Sequence, residues 1–160
     1  MDNVLQVLRT ALEIEQRGHE YYRKASVQAE SPVVQAVFAA LGHDEEEHES
    51  IISRYYSALE SGQGWPHPDE HFTQIPAEED RINEVFDKFD ARREAESFVG
   101  AYEVARDFEI KTRDFYASQI EYISDPDGKA FFRFLADLED VHAKMLQLLI
   151  DSTLRGTEET

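Results

Sequence analysis

Apolar residues recur at three- and four-residue steps from Val4 onward, through Leu5, Leu8, Leu12, Tyr22 and Ala25. That is the period of a helix with one buried stripe, and it predicts a first helix over about residues 3–29. Ser31-Pro32 supplies an N-cap followed by a first-turn proline, and Val37, Phe38, Leu41, Ile51, Ile52 and Tyr55 carry a second helix over 32–60. Gly62 and Gly64 end it. The stretch 61–96 breaks the pattern: SGQGWPHPDEHFTQIPAEED is rich in proline and glycine, and only PAEEDRINEVFDKF within it could support a short helix, so it reads as a long connection. Periodicity resumes at Phe98, Val99, Tyr102, Ala105 and Phe108, giving a third helix over 97–123. Asp125-Pro126 then opens a fourth over 126–153 through Phe131, Phe132, Leu135, Leu138, Met145 and Leu149. The tail RGTEET is expected to fray.

The two halves of this pattern are copies. Sliding the chain by 94 positions sets Glu15 on Glu109, Tyr22 on Tyr116, Pro32 on Pro126, Leu41 on Leu135, Glu45 on Glu139 and His48 on His142. Two helical hairpins with one pattern predict an all-α fold, a four-helix bundle with pseudo-twofold symmetry.

Within the repeat, Glu45 and His48 are three residues apart, as are Glu139 and His142, so each pair projects from one side of its helix. Glu15 and Glu45 are equidistant from the first hairpin bend, and Glu109 and Glu139 straddle the second in the same way. Antiparallel pairing brings each couple level. The neighbours decide which way these acids face: Phe38, Leu41 and Ile52 frame Glu45, and Phe132, Leu135 and Leu146 frame Glu139, so both lie in the apolar stripe. Four glutamates buried together cannot all stay ionised without compensation. Two divalent cations would match their charge. One glutamate from each of two helices, with Glu-x-x-His from each of the other two, is the ligand pattern of ferritin-like di-iron and di-manganese bundles.

The segments EQRGHEYY with DEEEH, and EIKTRDFY with LEDVH, resemble the rubrerythrin family of the ferritin-like superfamily over roughly residues 4–60 and 97–150. The resemblance implies a carboxylate-bridged di-iron centre, with Glu45 and Glu139 bridging, Glu15 and Glu109 terminal, and His48 and His142 each on one metal. It also implies a long crossover joining parallel second and third helices; about 34 residues can extend well beyond the ~42 Å of a 28-residue helix. The implied activity is oxidoreduction of peroxide or dioxygen in oxidative-stress defence, as a peroxidase or ferroxidase, with no catalytic residue beyond the ligands. A non-catalytic iron-handling or storage module, or a bundle that metals merely stabilise, is the alternative. Two departures stand out. Full-length rubrerythrins carry a cysteine-bound rubredoxin module and this sequence has no cysteine, so reducing equivalents are expected either to come from a separate electron-donor protein or to be unnecessary. Family members also tend to have a second glutamate one turn after the third-helix ligand, where Thr112 stands here.

Composition narrows the rest. Without cysteine, any metal site is built from histidine and carboxylates, suited to iron, with manganese or zinc as substitutes. A formal charge of −18 argues against nucleic acid and anionic membranes, and no apolar run is long enough to span a bilayer, so a cytoplasmic location is expected. A homodimer is the expected assembly. Asp44, Glu46, Glu47 and Glu49 read as the outward, soluble part of their turns. Tyr22, Tyr116 and Tyr102 read as core residues with satisfied hydroxyls, in preference to a redox role. His19, His43, His67 and His71 read as ordinary polar positions, and Trp65 as an anchor for the crossover on the bundle or on a partner.

Overall fold

A computed structural model describes residues 2–67 and 99–158. Among the described residues four helices are formed: α1 (Asp2–Gln28), α2 (Pro32–Glu60), α3 (Val99–Gln119) and α4 (Pro126–Glu158), with a 3-10 turn (Ile120–Tyr122) closing α3. No strand occurs among the described residues, and no helix among them is long and apolar enough to cross a membrane. The fold is an all-α, ferritin-like four-helix bundle.

Local chemistry sets the ends of these helices. Ser31 occupies the N-cap of α2 with Pro32 in the first turn, but its hydroxyl makes no capping bond. Asp125 does cap α4: its Oδ1 accepts from the amides of Asp127 (2.9 Å) and Gly128 (3.3 Å). Gly62, with φ of +77°, ends α2 in the left-handed conformation that glycine adopts without strain, while the Gln63 amide bonds back to the Ala58 carbonyl. The α4 helix runs past the expected fraying point to Glu158. Its buried stripe explains this, since Leu149, Ile150 and Thr153 are all at most 3 % exposed and continue the packing into the last turns.

α1 packs on α2, and α3 on α4. Tyr22 of α1 meets Glu109 of α3, and Tyr116 of α3 meets Glu15 of α1, so α1 and α3 run antiparallel and α2 runs parallel to α3. The connection from α2 to α3 begins after Glu60. Its first residues are anchored: the Trp65 ring lies 6.1 Å from Phe131 and 6.3 Å from Phe132, directly over Gly128, where any β-carbon would fall 2.6 Å from the indole. Trp65 thus packs on the bundle itself. The expected short helix within PAEEDRINEVFDKF and the position of His71 lie outside the described residues.

The core is divided in two. One apolar cluster gathers Leu8, Ile52, Tyr55, Tyr116, Phe131, Phe132 and Leu135; the other gathers Tyr22, Phe38, Leu41, Tyr102, Leu146 and Leu149. Between them the mid-helix positions of all four helices carry acids and histidines.

Candidate metal centre

Glu15, Glu45, His48, Glu109, Glu139 and His142 are each 0 % exposed, and they converge in that middle layer. Their donor atoms form two overlapping groups, each within 4.8 Å: Glu15, Glu45, His48 and Glu139 in one, Glu45, Glu109, Glu139 and His142 in the other. Glu45 and Glu139 belong to both. A carboxylate with two oxygens, shared between two donor groups, is placed to bridge two ions, while Glu15 and Glu109 each serve one group only. Glu45 and Glu139 are the two carboxylates common to both groups.

Both histidines turn Nδ1 inward. His48 Nδ1 lies 3.3 Å from Glu15 and Glu139 and 3.9 Å from Glu45. His142 Nδ1 lies 3.5 Å from Glu45 and 3.6 Å from Glu109. The two rings are nearly parallel, 17° apart, with centroids 5.4 Å apart, one per donor group.

The outer face of His142 holds the main correction to the sequence reading. Asp44, expected to be outward and solvated, is 0 % exposed, and its Oδ2 lies 3.1 Å from His142 Nε2. It crosses from α2 to α4 and fixes the ring with Nδ1 facing the donor group, the arrangement that orients metal-binding histidines generally. A signal existed in the repeat: Asp44 is superposed on Leu138, a fully buried residue, and an apolar counterpart marks an inward position. The other acids of that run behave differently. Glu46 is exposed, Glu47 pairs with the exposed His43 at 3.6 Å, and Glu49 accepts from Gln16 at 2.9 Å.

Two tyrosines complete the layer. Tyr22 donates its hydroxyl to Glu109, and Tyr116 donates to Glu15, a reciprocal pair across the pseudo-twofold axis. The hydroxyls are satisfied, as expected, but by the terminal carboxylates of the opposite hairpin. Tyr102, by contrast, has a buried hydroxyl with no hydrogen-bond partner, and burial pushes it up to about 12. Thr112 is buried and turns its hydroxyl back to the Phe108 carbonyl (3.1 Å), so position 112 offers no carboxylate. Gly18 opens space on α1: a β-carbon there would fall 2.5 Å from Glu45 Oε2. The bridging carboxylate therefore lies against bare backbone. His19 is outside both donor groups, and His67 pairs with Asp127 at 3.2 Å.

The electrostatics ask for cations. Burial first, then the charges of Glu15 and Glu109, hold Glu45 well above the usual carboxylate range; burial and its three glutamate neighbours do the same to Glu139. Burial also disfavours the charged form of Glu109, but the charge of His142 and the bond from Tyr22 outweigh it and lower the group. His142 is disfavoured as a cation by burial, yet the charge of Glu109 and the bond to Asp44 raise it well above its ordinary value. Both oxygens of Glu45 and of Glu139, together with Glu109 Oε2, are buried without hydrogen-bond partners. Such a set of orphaned donors is costly unless something binds it. Two divalent ions would neutralise four carboxylates and use every orphaned atom, so the residues present fit a dinuclear metal group.

A helical bundle whose interior presents two donor groups sharing two glutamates defines a class, the dinuclear carboxylate-histidine proteins of ferritin-like fold. The comparison with protein families makes this specific: the rubrerythrin profile matches residues 6–150, and the chain belongs to the rubrerythrin family. No curated protein and no solved structure shows a significant match.

Proposed function

We propose that the protein binds a carboxylate-bridged di-iron centre through Glu15, Glu45, His48, Glu109, Glu139 and His142 and acts as an oxidoreductase on peroxide or dioxygen, in cytoplasmic defence against oxidative stress. The observation that carries this reading is the pair of buried donor groups sharing Glu45 and Glu139. When bound, two ferrous ions would supply two electrons and an open coordination position to the oxidant. The protein's own contribution is positioning and exclusion. Asp44 fixes the His142 ring, Tyr22 and Tyr116 hold the terminal carboxylates through their hydroxyl protons, and the two apolar clusters keep bulk water from the layer between them. Carboxylates with imidazole suit iron or manganese, while zinc competes by raw affinity, so supply decides occupancy.

The test is a stopped-flow trace of the anaerobic ferrous protein mixed with hydrogen peroxide. Rapid oxidation supports a peroxidase; oxidation no faster than that of free ferrous ion would overturn it. Oxygen evolution from peroxide after manganese loading would instead reveal a catalase. Thr112 favours a second reading, a non-catalytic iron-handling module, because it removes the carboxylate that would support ligand exchange during turnover. Solution size separates the two: a homodimer, the assembly we propose, fits the enzyme, whereas storage requires a hollow shell of many subunits. Reducing equivalents would come from a separate electron-donor protein.

A further inference from the structure

The two halves of the centre differ next to their tyrosines. Tyr22, fully buried, donates to Glu109 and meets the ring of Tyr21 edge-on with centroids 5.4 Å apart. Tyr21 is 37 % exposed and lines an open groove with Lys24, Gln28, Phe38 and Ala101. In the other repeat Tyr116 donates to Glu15 in the same way, but the residue superposed on Tyr21 is Phe115, whose centroid lies 5.6 Å from Tyr116. Tyr116 also packs on Phe132. A phenylalanine ring has no hydroxyl proton to lose and is far harder to oxidise than a phenol. A chain of oxidisable rings in contact thus leads from Glu109 to the surface, while the contacts of Tyr116 with Phe115 and Phe132 continue no such chain.

We propose that Tyr22 and Tyr21 form a two-step path along which one-electron oxidising equivalents leave the dinuclear site for the surface. The proposal rests on the di-iron reading above. When bound, two ferrous ions would give two electrons, which with two protons from solvent is what peroxide needs to become two waters. Dioxygen needs four electrons, with four protons from solvent. The missing two leave Tyr22 one at a time, each electron going to the centre while the phenolic proton moves to the Glu109 carboxylate and a neutral phenoxyl remains. Tyr21 then gives Tyr22 an electron, Glu109 returns the proton to Tyr22, and the Tyr21 proton passes to water. At the groove a small one-electron reductant such as ascorbate restores Tyr21, with a proton from solvent.

In the experiment, ferrous protein is mixed with dioxygen in the presence of a nitroso spin trap, the loss of ferrous ion is followed by stopped flow, and adducts are mapped by mass spectrometry. The expected adduct is on Tyr21, severalfold weaker in Tyr22→Phe and in wild type given one equivalent of peroxide; Phe115→Tyr should add an adduct at position 115. Adducts distributed equally over Tyr21 and the more exposed Tyr122 would overturn the path. Rapid oxidation with the same Tyr21 adduct in Tyr22→Phe as in wild type overturns the path alone, whereas slow oxidation of the ferrous protein overturns the di-iron reading and the path with it.

Discussion

Replacing Asp44 by leucine, the residue its repeat-related position carries, removes the carboxylate behind His142 with a side chain that a four-helix core accepts. The bond lost is a buried one at 3.1 Å between a carboxylate and a histidine that its surroundings favour as a cation. Hydrogen bonds to charged groups contribute about 1.5–3 kcal/mol. Removing an outer partner of a metal-binding histidine generally costs about 10–100-fold in affinity, and each tenfold is about 1.4 kcal/mol. The two scales agree, so the expected outcome is a loss of one to two orders of magnitude in affinity for one ion of the two. Because the bond from Asp44 is made to His142, the ion held by His48 should be affected less. Titration of the metal-free protein with zinc in competition with a chromophoric chelator resolves the two steps. Asp44→Asn, whose amide oxygen can still accept from Nε2, should fall between leucine and wild type. Two unchanged binding steps in Asp44→Leu would refute the assignment, and equal weakening of both would show that Asp44 supports the layer as a whole.

Glu45→Ala and His142→Ala should each lower bound metal below two per chain and lower the melting temperature of the as-isolated protein; unchanged metal content in both would remove the basis of the site. Gly18→Ala gains up to about 1 kcal/mol in helix propensity, yet its methyl would meet Glu45 Oε2 at 2.5 Å, so metal content should fall despite the better helix former. Elemental analysis after dialysis decides this, and full occupancy would show that Glu45 can move aside freely. The metal-free protein should lose stability as pH rises above about 4.5, because Glu45 and Glu139 keep protons in the folded state that they lose when unfolded. Each such carboxyl contributes a slope of about 1.4 kcal/mol per pH unit, persisting until its raised folded value is passed. His142 adds to the fall above its unfolded value, near 6.5, since it too is raised. Melting temperatures recorded from about pH 5 to about pH 8 test the sign; a rise with pH would mean that the glutamates are ionised without metal.

Helix positions and the six donors were legible in the sequence because both depend on spacing along a regular element. A period of 3.6 residues places apolar side chains on one stripe, and a glutamate within that stripe must be buried wherever the helix docks. The duplication doubled the signal, since Glu45 and Glu139, superposed, lie among the same kinds of neighbour. The family resemblance rested on these same positions and holds over nearly the full chain. Less legible was anything decided by which helix faces which. Asp44 sits one residue before a ligand on the same turn, and nothing local distinguishes it from the exposed Glu46; only the approach of α4 puts His142 Nε2 against it. The partners of the Tyr22 and Tyr116 hydroxyls are 87 and 101 residues away in sequence. Gly18 is unremarkable in a helix until the carboxylate of a second helix leans on its backbone.

Spacing within each helix therefore determined which side chains turn inward, because helical geometry is local. The tertiary structure decided what each of them meets, because the docking of one hairpin on the other is set by contacts between residues far apart in the chain. That docking joins two sets of buried acids into one layer, ties it with Asp44 and the two tyrosines, and leaves a path of phenols open on one side only.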